Sequence, residues 1–145
     1  KHHVECTIFV PTDYIGQWNT WNPKIPFNAK HMTWNDIHQT AEAGVEIGSH
    51  GCSHRTFQKL TLPEIEYELF HSRQILEEHI GLPINCFAYP YGDSFPQSNY
   101  IVSKVYNTAV SVEEGGRVWP EDQYHIKRYD YQALIQMAVA DGINR

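Results

Sequence analysis

The chain has 145 residues, 41% of them apolar and 13% aromatic, which suits a core of about one domain and excludes a disordered or fibrous protein. Lysine and arginine total 11 against 17 aspartates and glutamates; with this charge of −6 and no basic run, neither nucleic acid nor an anionic membrane surface is an expected partner. The longest apolar stretches, such as residues 109–112, fall far short of the roughly 20 residues of a membrane helix, so no membrane span is expected.

The first half of the chain predicts strand, loop, helix and strand in that order. A β-branched and aromatic run at residues 5–10 is typical of a buried parallel strand. A loop rich in Asn, Pro and Trp covers 12–32, and a capping box then begins a helix over 33–44. A short apolar run at 45–49 predicts the second strand.

The second half continues the same alternation. A second capping box and a terminal glycine delimit a long helix, and shorter apolar runs follow it. In chain order the predictions are a helix over 61–80, a strand over 84–89, a helix over 98–106, strands over 109–112 and 125–129, and a helix over 131–140.

This alternation predicts an α/β fold with a mainly parallel sheet and helices packed outside it. The predicted strands are too few for a complete eight-stranded barrel. Chemistry in parallel α/β folds gathers at the carboxyl ends of strands. Here those ends carry residues 11–13, 50–54 and 90–93. The last two segments contain the side chains best suited to catalysis or metal binding.

Two histidines, His50 and His54, are four residues apart after the second predicted strand. If the turn between them is helical, both imidazoles point to one side and can share a zinc or similar ion. The alternative is a pair of surface or hydrogen-bonded histidines, since such spacing also occurs by chance. Their place at a strand end favours the metal site.

Two motifs carry a resemblance to a known family. Residues 45–54, VEIGSHGCSH, followed by residues 87–93, FAYPYGD, resemble the polysaccharide deacetylases of carbohydrate esterase family 4, the NodB-homology domain. The resemblance covers most of the chain, so residues 1–145 are interpreted as one such domain. It implies part of a deformed (β/α) barrel.

The resemblance also implies an activity and a site. Members hydrolyse the acetamide, or sometimes the acetate ester, of a sugar, which makes them hydrolases of non-peptide carbon–nitrogen bonds. Members bind a divalent ion through two histidines, matching His50 and His54, and one aspartate; we expect zinc first, then cobalt, nickel or iron. The backbone N–H of Tyr91 would help to hold the oxyanion, and Pro90 would shape the substrate-binding backbone.

The chain departs from the family pattern because it lacks the family's first motif. No Asp-Asp pair, which supplies the third ligand and the base in the family, occurs in the sequence, and its strand would precede Lys1. The chain is therefore interpreted as lacking the first strand and motif. The alternatives are a metal-poor, non-catalytic relative, or a site completed by Asp13 or Asp93. Many members also have arginine where this chain has Ala88.

Aromatic residues near the first loop suggest the partner. Trp18 and Trp21, flanked by asparagines, suit stacking on a sugar, although both could equally pin the loop, and Trp34 is interpreted as the first-turn anchor of its helix. The expected substrate is an acetylated sugar or polysaccharide in a bacterial cytoplasm or cell envelope. We expect little activity from this chain alone, and a non-catalytic glycan-binding or assembly module is the alternative.

Overall fold

The computed structural model describes residues 5–20, 29–112 and 123–128, which form a four-stranded sheet with helices packed against it. The strands are β1 (Thr7–Val10), β2 (Glu46–Ser49), β3 (Cys86–Ala88) and β4 (Thr108–Val110). The helices are α1 (Trp34–Glu42), α2 (Leu62–Ile80) and α3 (Pro96–Val105). The order β1-β2-β3-β4, with every pairing parallel, confirms the predicted α/β fold and its incomplete barrel.

The strand register brings the carboxyl ends of the strands to one edge of the sheet. β1 and β2 pair from Thr7 opposite Glu46 to Val10 opposite Ser49. A Cβ atom on Gly48, in the middle of β2, would lie 2.6 Å from the ring of Phe9, so only glycine fits between these strands. Glycine at this position therefore leaves room for the side chains of Phe9 and Cys86 on that face of the sheet.

Apolar side chains from the sheet and from the helices form one core. Phe87 and Ala109 from the sheet are fully buried, and the long apolar face of α2 packs over them. The buried core residues of the helices are Ile37, Ile65, Leu69, Leu76, Ile101, Val102 and Val105. Burying side chains of this size stabilises the fold by roughly 1.5–3 kcal/mol each.

Both predicted capping boxes are confirmed. Thr33 and Asp36 begin α1 with a 2.8 Å bond from the Thr33 amide to the Asp36 carboxylate, and Thr61 and Glu64 begin α2 in the same way. Gly81 ends α2 in the left-handed conformation, with φ 74°. Each cap contributes about 1 kcal/mol.

The predicted strand over 125–129 is wrong for the part the structure describes. Residues 125–128 contribute a single parallel bridge, between Ile126 and Val110. A lone bridge fixes one residue beside β4 and does not extend the sheet. Tyr129 and the predicted helix over 131–140 lie outside the described residues. Within the described ranges, no helix combines the length and apolar character that crossing a bilayer requires.

Candidate metal and substrate site

The loops that follow β1 and β2 meet at the carboxyl edge of the sheet. His50 leaves β2 with its amide bonded to the carbonyl of Val10 at 3.0 Å. The amide of Thr12, after β1, donates to the carbonyl of Gly51 at 3.0 Å, and that of Asp13 donates to Cys52 at 3.1 Å. Backbone hydrogen bonds therefore lock the histidine-bearing loop to its neighbour.

The structure brings the two predicted metal ligands together. The ring centroids of His50 and His54 are 4.7 Å apart and their planes meet at 71°. The turn between them is not helical, so that premise of the sequence interpretation is wrong. Instead Gly51, with φ 77°, and His54, with φ 54°, take left-handed conformations that turn the chain back on itself.

A hydrogen bond fixes the orientation of the His50 ring. Its Nδ1 lies 2.6 Å from the carbonyl oxygen of Ala88, at the end of β3. Because a carbonyl only accepts, Nδ1 carries the proton and Nε2 keeps its lone pair. Burial lowers the pKa of His50 to about 4, the Ala88 bond opposes this shift, and the charges of His54 and Arg128 add to it. The ring is therefore neutral at pH 7, as a metal ligand must be.

His54 sits against the turn that follows β3. Burial also lowers the pKa of His54, and the ring of Tyr91 meets it edge-on at a centroid distance of 4.8 Å. Tyr91 is itself left-handed, with φ 59°, and its side chain is 60% exposed. Pro90 beside it is fully buried, so it fixes the backbone and offers almost no surface to a substrate. A Cβ on Gly92 would lie 2.6 Å from the backbone nitrogen of Val112, which makes the turn specific to glycine.

A buried glutamate that the sequence interpretation missed supports the loop. Glu68 of α2 accepts hydrogen bonds from the amides of Cys52, at 2.7 Å, and Ser53, at 2.9 Å, and from the Ser53 hydroxyl. Its spacing of three and four residues from Ile65 and Ser72 places it on the buried face of α2. That spacing was the available signal, because an acidic residue on an apolar face needs partners.

The two histidines fit a metal site, but the described residues do not complete one. Zinc and similar ions are bound by neutral imidazoles whose other ring nitrogen is often hydrogen-bonded to a carbonyl oxygen. His50 and His54 lie side by side, and His50 has such a bond to Ala88. No third histidine, cysteine, aspartate or glutamate is grouped with them in the part of the chain that the structure describes. Cys52 is buried, and its Sγ donates to the carbonyl oxygen of Glu68 at 3.6 Å, so its contacts are with α2.

The proposal that Asp13 or Asp93 completes the site is therefore wrong. Asp93 accepts from the hydroxyl of Thr56, the amide of Gln58 at 2.9 Å and the side-chain amide of Gln58 at 2.6 Å. These bonds commit it to the turn that starts at Phe57. Asp13 lines a neighbouring depression with Glu68. Asp93 therefore organises a turn, and neither aspartate is grouped with the two imidazoles.

A pocket of about 610 Å³ opens beside His54. Its described lining residues are Tyr14, Ser53, His54, Arg55, Thr56, Lys59 and Tyr91. Two of these residues, His54 and Tyr91, were predicted from the sequence, whereas Tyr14 and Lys59 were not, because no local pattern marks them.

The three tryptophans singled out in the sequence differ in what the structure shows of them. Trp18 is 56% exposed, with the Lys30 ammonium 5.9 Å from its ring, and it is absent from the described lining of the pocket. Trp21 lies outside the described residues. Trp34 packs on the core and stacks on His79 of α2 at 3.9 Å, which supports its interpretation as a helix anchor. The role of Trp18 in sugar binding stays a prediction.

Comparisons with known proteins give one family by sequence and a shared fold by structure. A sequence model of the polysaccharide deacetylase family matches residues 1–110. A search of curated protein sequences finds no match. Among solved structures, the Streptococcus pyogenes deacetylase PplD in complex with acetate is 16% identical, with a TM-score of 0.75 over 91% of this chain and 57% of its own.

Two further solved structures give similar values. BC0361, a polysaccharide deacetylase from Bacillus cereus, is 19% identical, with a TM-score of 0.72 over 93% of this chain and 42% of its own. IcaB from Ammonifex degensii is 20% identical, with a TM-score of 0.71 over 94% of this chain and 61% of its own. At these identities the likeness establishes the fold, and the chain spans 42% to 61% of the length of these three structures.

Proposed function

Because the chain belongs to the polysaccharide deacetylase family, we propose that it carries the two-histidine half of a metal-dependent site that removes acetyl groups from carbohydrate. The bond broken would be the amide of an N-acetylated sugar or the ester of an O-acetylated one. The observation that supports this most strongly is the pair of neutral imidazoles, 4.7 Å apart, at the carboxyl edge of the sheet.

His50 and His54 would hold a divalent ion, with zinc expected before cobalt, nickel or iron. Such an ion supplies Lewis acidity, which polarises an acyl carbonyl and acidifies water near neutral pH. His50 would bind through Nε2, because Ala88 holds the proton on Nδ1. The depressed pKa values of both rings keep protons from competing with the metal at pH 7.

The turn after β3 would position the acyl group. The buried Pro90 and the glycine-specific position 92 hold Tyr91 in a left-handed conformation beside His54. The backbone N–H of Tyr91 is the expected donor to the oxyanion that develops as the carbonyl is attacked. The pocket of about 610 Å³ next to both residues is large enough for a sugar unit.

A third ligand and a general base would have to come from outside the described residues, since none is grouped with the histidines there. Because the sequence also contains no Asp-Asp pair, which supplies both groups in the family, we expect this 145-residue chain alone to hydrolyse acetylated sugars slowly or not at all. Losing one ligand and the base together removes most of the several kcal/mol that metal and base catalysis supply.

Metal binding tests the proposal without requiring turnover. Zinc titration by calorimetry would use a chain in which His2 and His3 are replaced by alanine, so that the N-terminal histidines do not compete. We expect one zinc per chain. His50→Ala and His54→Ala should each weaken binding by more than the roughly tenfold to hundredfold that losing a ligand's hydrogen-bond partner costs. His38→Ala on α1 is the matched control and should not weaken it.

Catalysis is tested in a protein that contains both this chain and the family's aspartate motif. The double variant His50→Ala with His54→Ala should abolish release of acetate from N-acetylglucosamine oligomers. Undiminished release by that variant would contradict the ligand assignment.

A non-catalytic glycan-binding module is the second candidate, favoured by the lack of a third grouped ligand in the described residues. Exposed aromatic side chains at Trp18 and Tyr91 could then bind sugar without metal. Oligosaccharide binding that is unchanged by a chelator and by His50→Ala would favour this module over the hydrolase.

A further inference from the structure

The pocket beside His54 has a charge opposite to that of the chain. The chain carries a formal −6, yet two cations, Arg55 and Lys59, line this pocket, and none of its described lining residues is acidic. The remaining described lining consists of two tyrosines, a serine, a threonine and His54. A cationic pocket in an anionic protein concentrates ligands of negative charge.

Carboxylates lie beside one of these two cations. Arg55 also lines the neighbouring depression, together with three carboxylate side chains, so its charge is shared with them. Glu64 lies 3.3 Å from Arg55, with side-chain exposures of 45% and 52%, and also caps α2 through Thr61. Asp93 accepts hydrogen bonds from Thr56 and Gln58. Within the described ranges, Lys59 forms no ion pair. Lys59 is therefore the cation with its charge available to a ligand.

The position of Lys59 is fixed by the core. It ends the short 3-10 turn Phe57–Lys59, and Phe57 is fully buried. The ring of Phe57 packs on those of Phe87 and Tyr89 at centroid distances of 5.8 Å. The backbone of Lys59 is thus tied to β3, the strand that leads into the Tyr91 turn, while its side chain stays exposed in the pocket.

We propose that this pocket selects glycans that carry a negatively charged group, a carboxylate or a phosphate, on the sugar next to the acetylated one. Lys59 is the main specificity-determining residue, and Arg55, shared with Glu64, assists it. The inference rests on the proposed function, because His54 and Tyr91 in the same pocket place the acetyl group. It adds the substrate class, which the family motifs do not specify.

Binding of three defined probes tests the proposal. The probes are a neutral N-acetylglucosamine tetrasaccharide, a tetrasaccharide alternating N-acetylglucosamine with glucuronic acid, and the neutral tetrasaccharide phosphorylated on one sugar. Affinities are measured by calorimetry on the 145-residue chain at low and high salt. The variant is Lys59→Gln, and Lys104→Gln on α3, whose ammonium lies over the Tyr100 ring, removes the same charge away from the pocket.

We expect the chain to bind at least one charged probe roughly threefold to fivefold more tightly than the neutral one at low salt, and less so at high salt. Lys59→Gln should bring this ratio close to one, whereas Lys104→Gln should leave it unchanged. Preference for the uronic acid probe or for the phosphorylated probe identifies the anionic group.

Two results would overturn the proposal, and they differ in what else they remove. Equal binding of charged and neutral probes, or a ratio that Lys59→Gln does not alter, rejects the anionic specificity and leaves the deacetylase proposal intact. Failure of every probe to bind rejects the sugar pocket itself and counts against both.

Discussion

The carboxyl edge of the sheet and the helical layer that covers it are built in opposite ways. α1 and α2 begin with capping boxes, and α2 ends at a left-handed glycine, so these three helix ends have local solutions. At the carboxyl edge, His54 and Tyr91 are the non-glycine residues with positive φ in the described chain. Regular backbone supports the fold, and strained backbone marks the candidate site.

This difference shows how the strain is maintained. A left-handed side-chain-bearing residue costs about 1 kcal/mol or more, and it persists only where surrounding contacts over-determine it. For the histidine loop, those contacts come from Glu68 of α2 and from the backbone of the loop after β1. The helical layer therefore holds the site in place as well as covering the core.

The largest effect is expected from removing Glu68, which links the helical layer to the histidine loop. Glu68→Ala leaves the buried amide of Cys52 and the half-buried amide of Ser53 without their acceptor and should lower the free energy of unfolding by about 3 kcal/mol. Zinc affinity should fall as well, because the loop that carries both histidines loses its anchor. Urea denaturation measures the stability. Glu66→Ala, exposed on the same helix, is the control and should stay within about 0.5 kcal/mol.

The second prediction concerns how the stability of the fold changes as the pH is lowered. Because the folded-state pKa of His50, about 4, lies below its ordinary 6.5, the unfolded chain binds a proton first as the pH falls. Stability contributed by the neutral ring is therefore full above pH 6.5, declines between 6.5 and 4, and levels off below 4.

The size of this loss should be on the order of 3 kcal/mol. Urea denaturation across pH 4–7 should show the slope in the parent chain and a much flatter profile in His50→Gln, whose side chain does not titrate. Equal slopes in the two proteins would mean that His50 is not a buried neutral ring.

The smallest expected effect is a difference in stability between glycine and alanine variants, which should have opposite signs in the two regions. At Tyr91, φ 59° favours glycine, so Tyr91→Gly should be more stable than Tyr91→Ala by about 1 kcal/mol. At Gln74, exposed in the middle of α2, the order should reverse, with Gln74→Ala more stable than Gln74→Gly by about 1 kcal/mol. Thermal unfolding of the four variants measures both differences. The same sign at both positions would contradict the distinction between the regions.

The helices were predictable because their signals are local. The boxes at Thr33 and Thr61 lie within four residues, and the glycine that ends α2 follows directly. The pairing of His50 with His54 was also predictable from their place after a strand, although the helical geometry assumed for the turn was wrong. Left-handed residues achieve the convergence, and no local pattern at His54 indicates one.

The supports of the site were not predictable in this way, because they join residues distant in the sequence. The Ala88 carbonyl reaches His50 across 38 residues, and Glu68 reaches the loop across 15 and 16. Lys59 enters the pocket only because the buried Phe57 fixes its turn against β3. The predicted strand at 125–129 failed for a related reason, since no local pattern shows that, among its described residues, Ile126 alone forms a bridge to β4.

The central claim is that His50 and His54 bind one cation together, and ring nitrogen shifts in a histidine-labelled chain test it most directly. With His2 and His3 replaced by alanine, we expect His50 at pH 7 to carry its proton on Nδ1 before metal is added. One equivalent of zinc should then shift a ring nitrogen of both His50 and His54 in parallel. A response from one ring alone, from neither ring, or from the two rings at different zinc ratios would contradict a shared metal site.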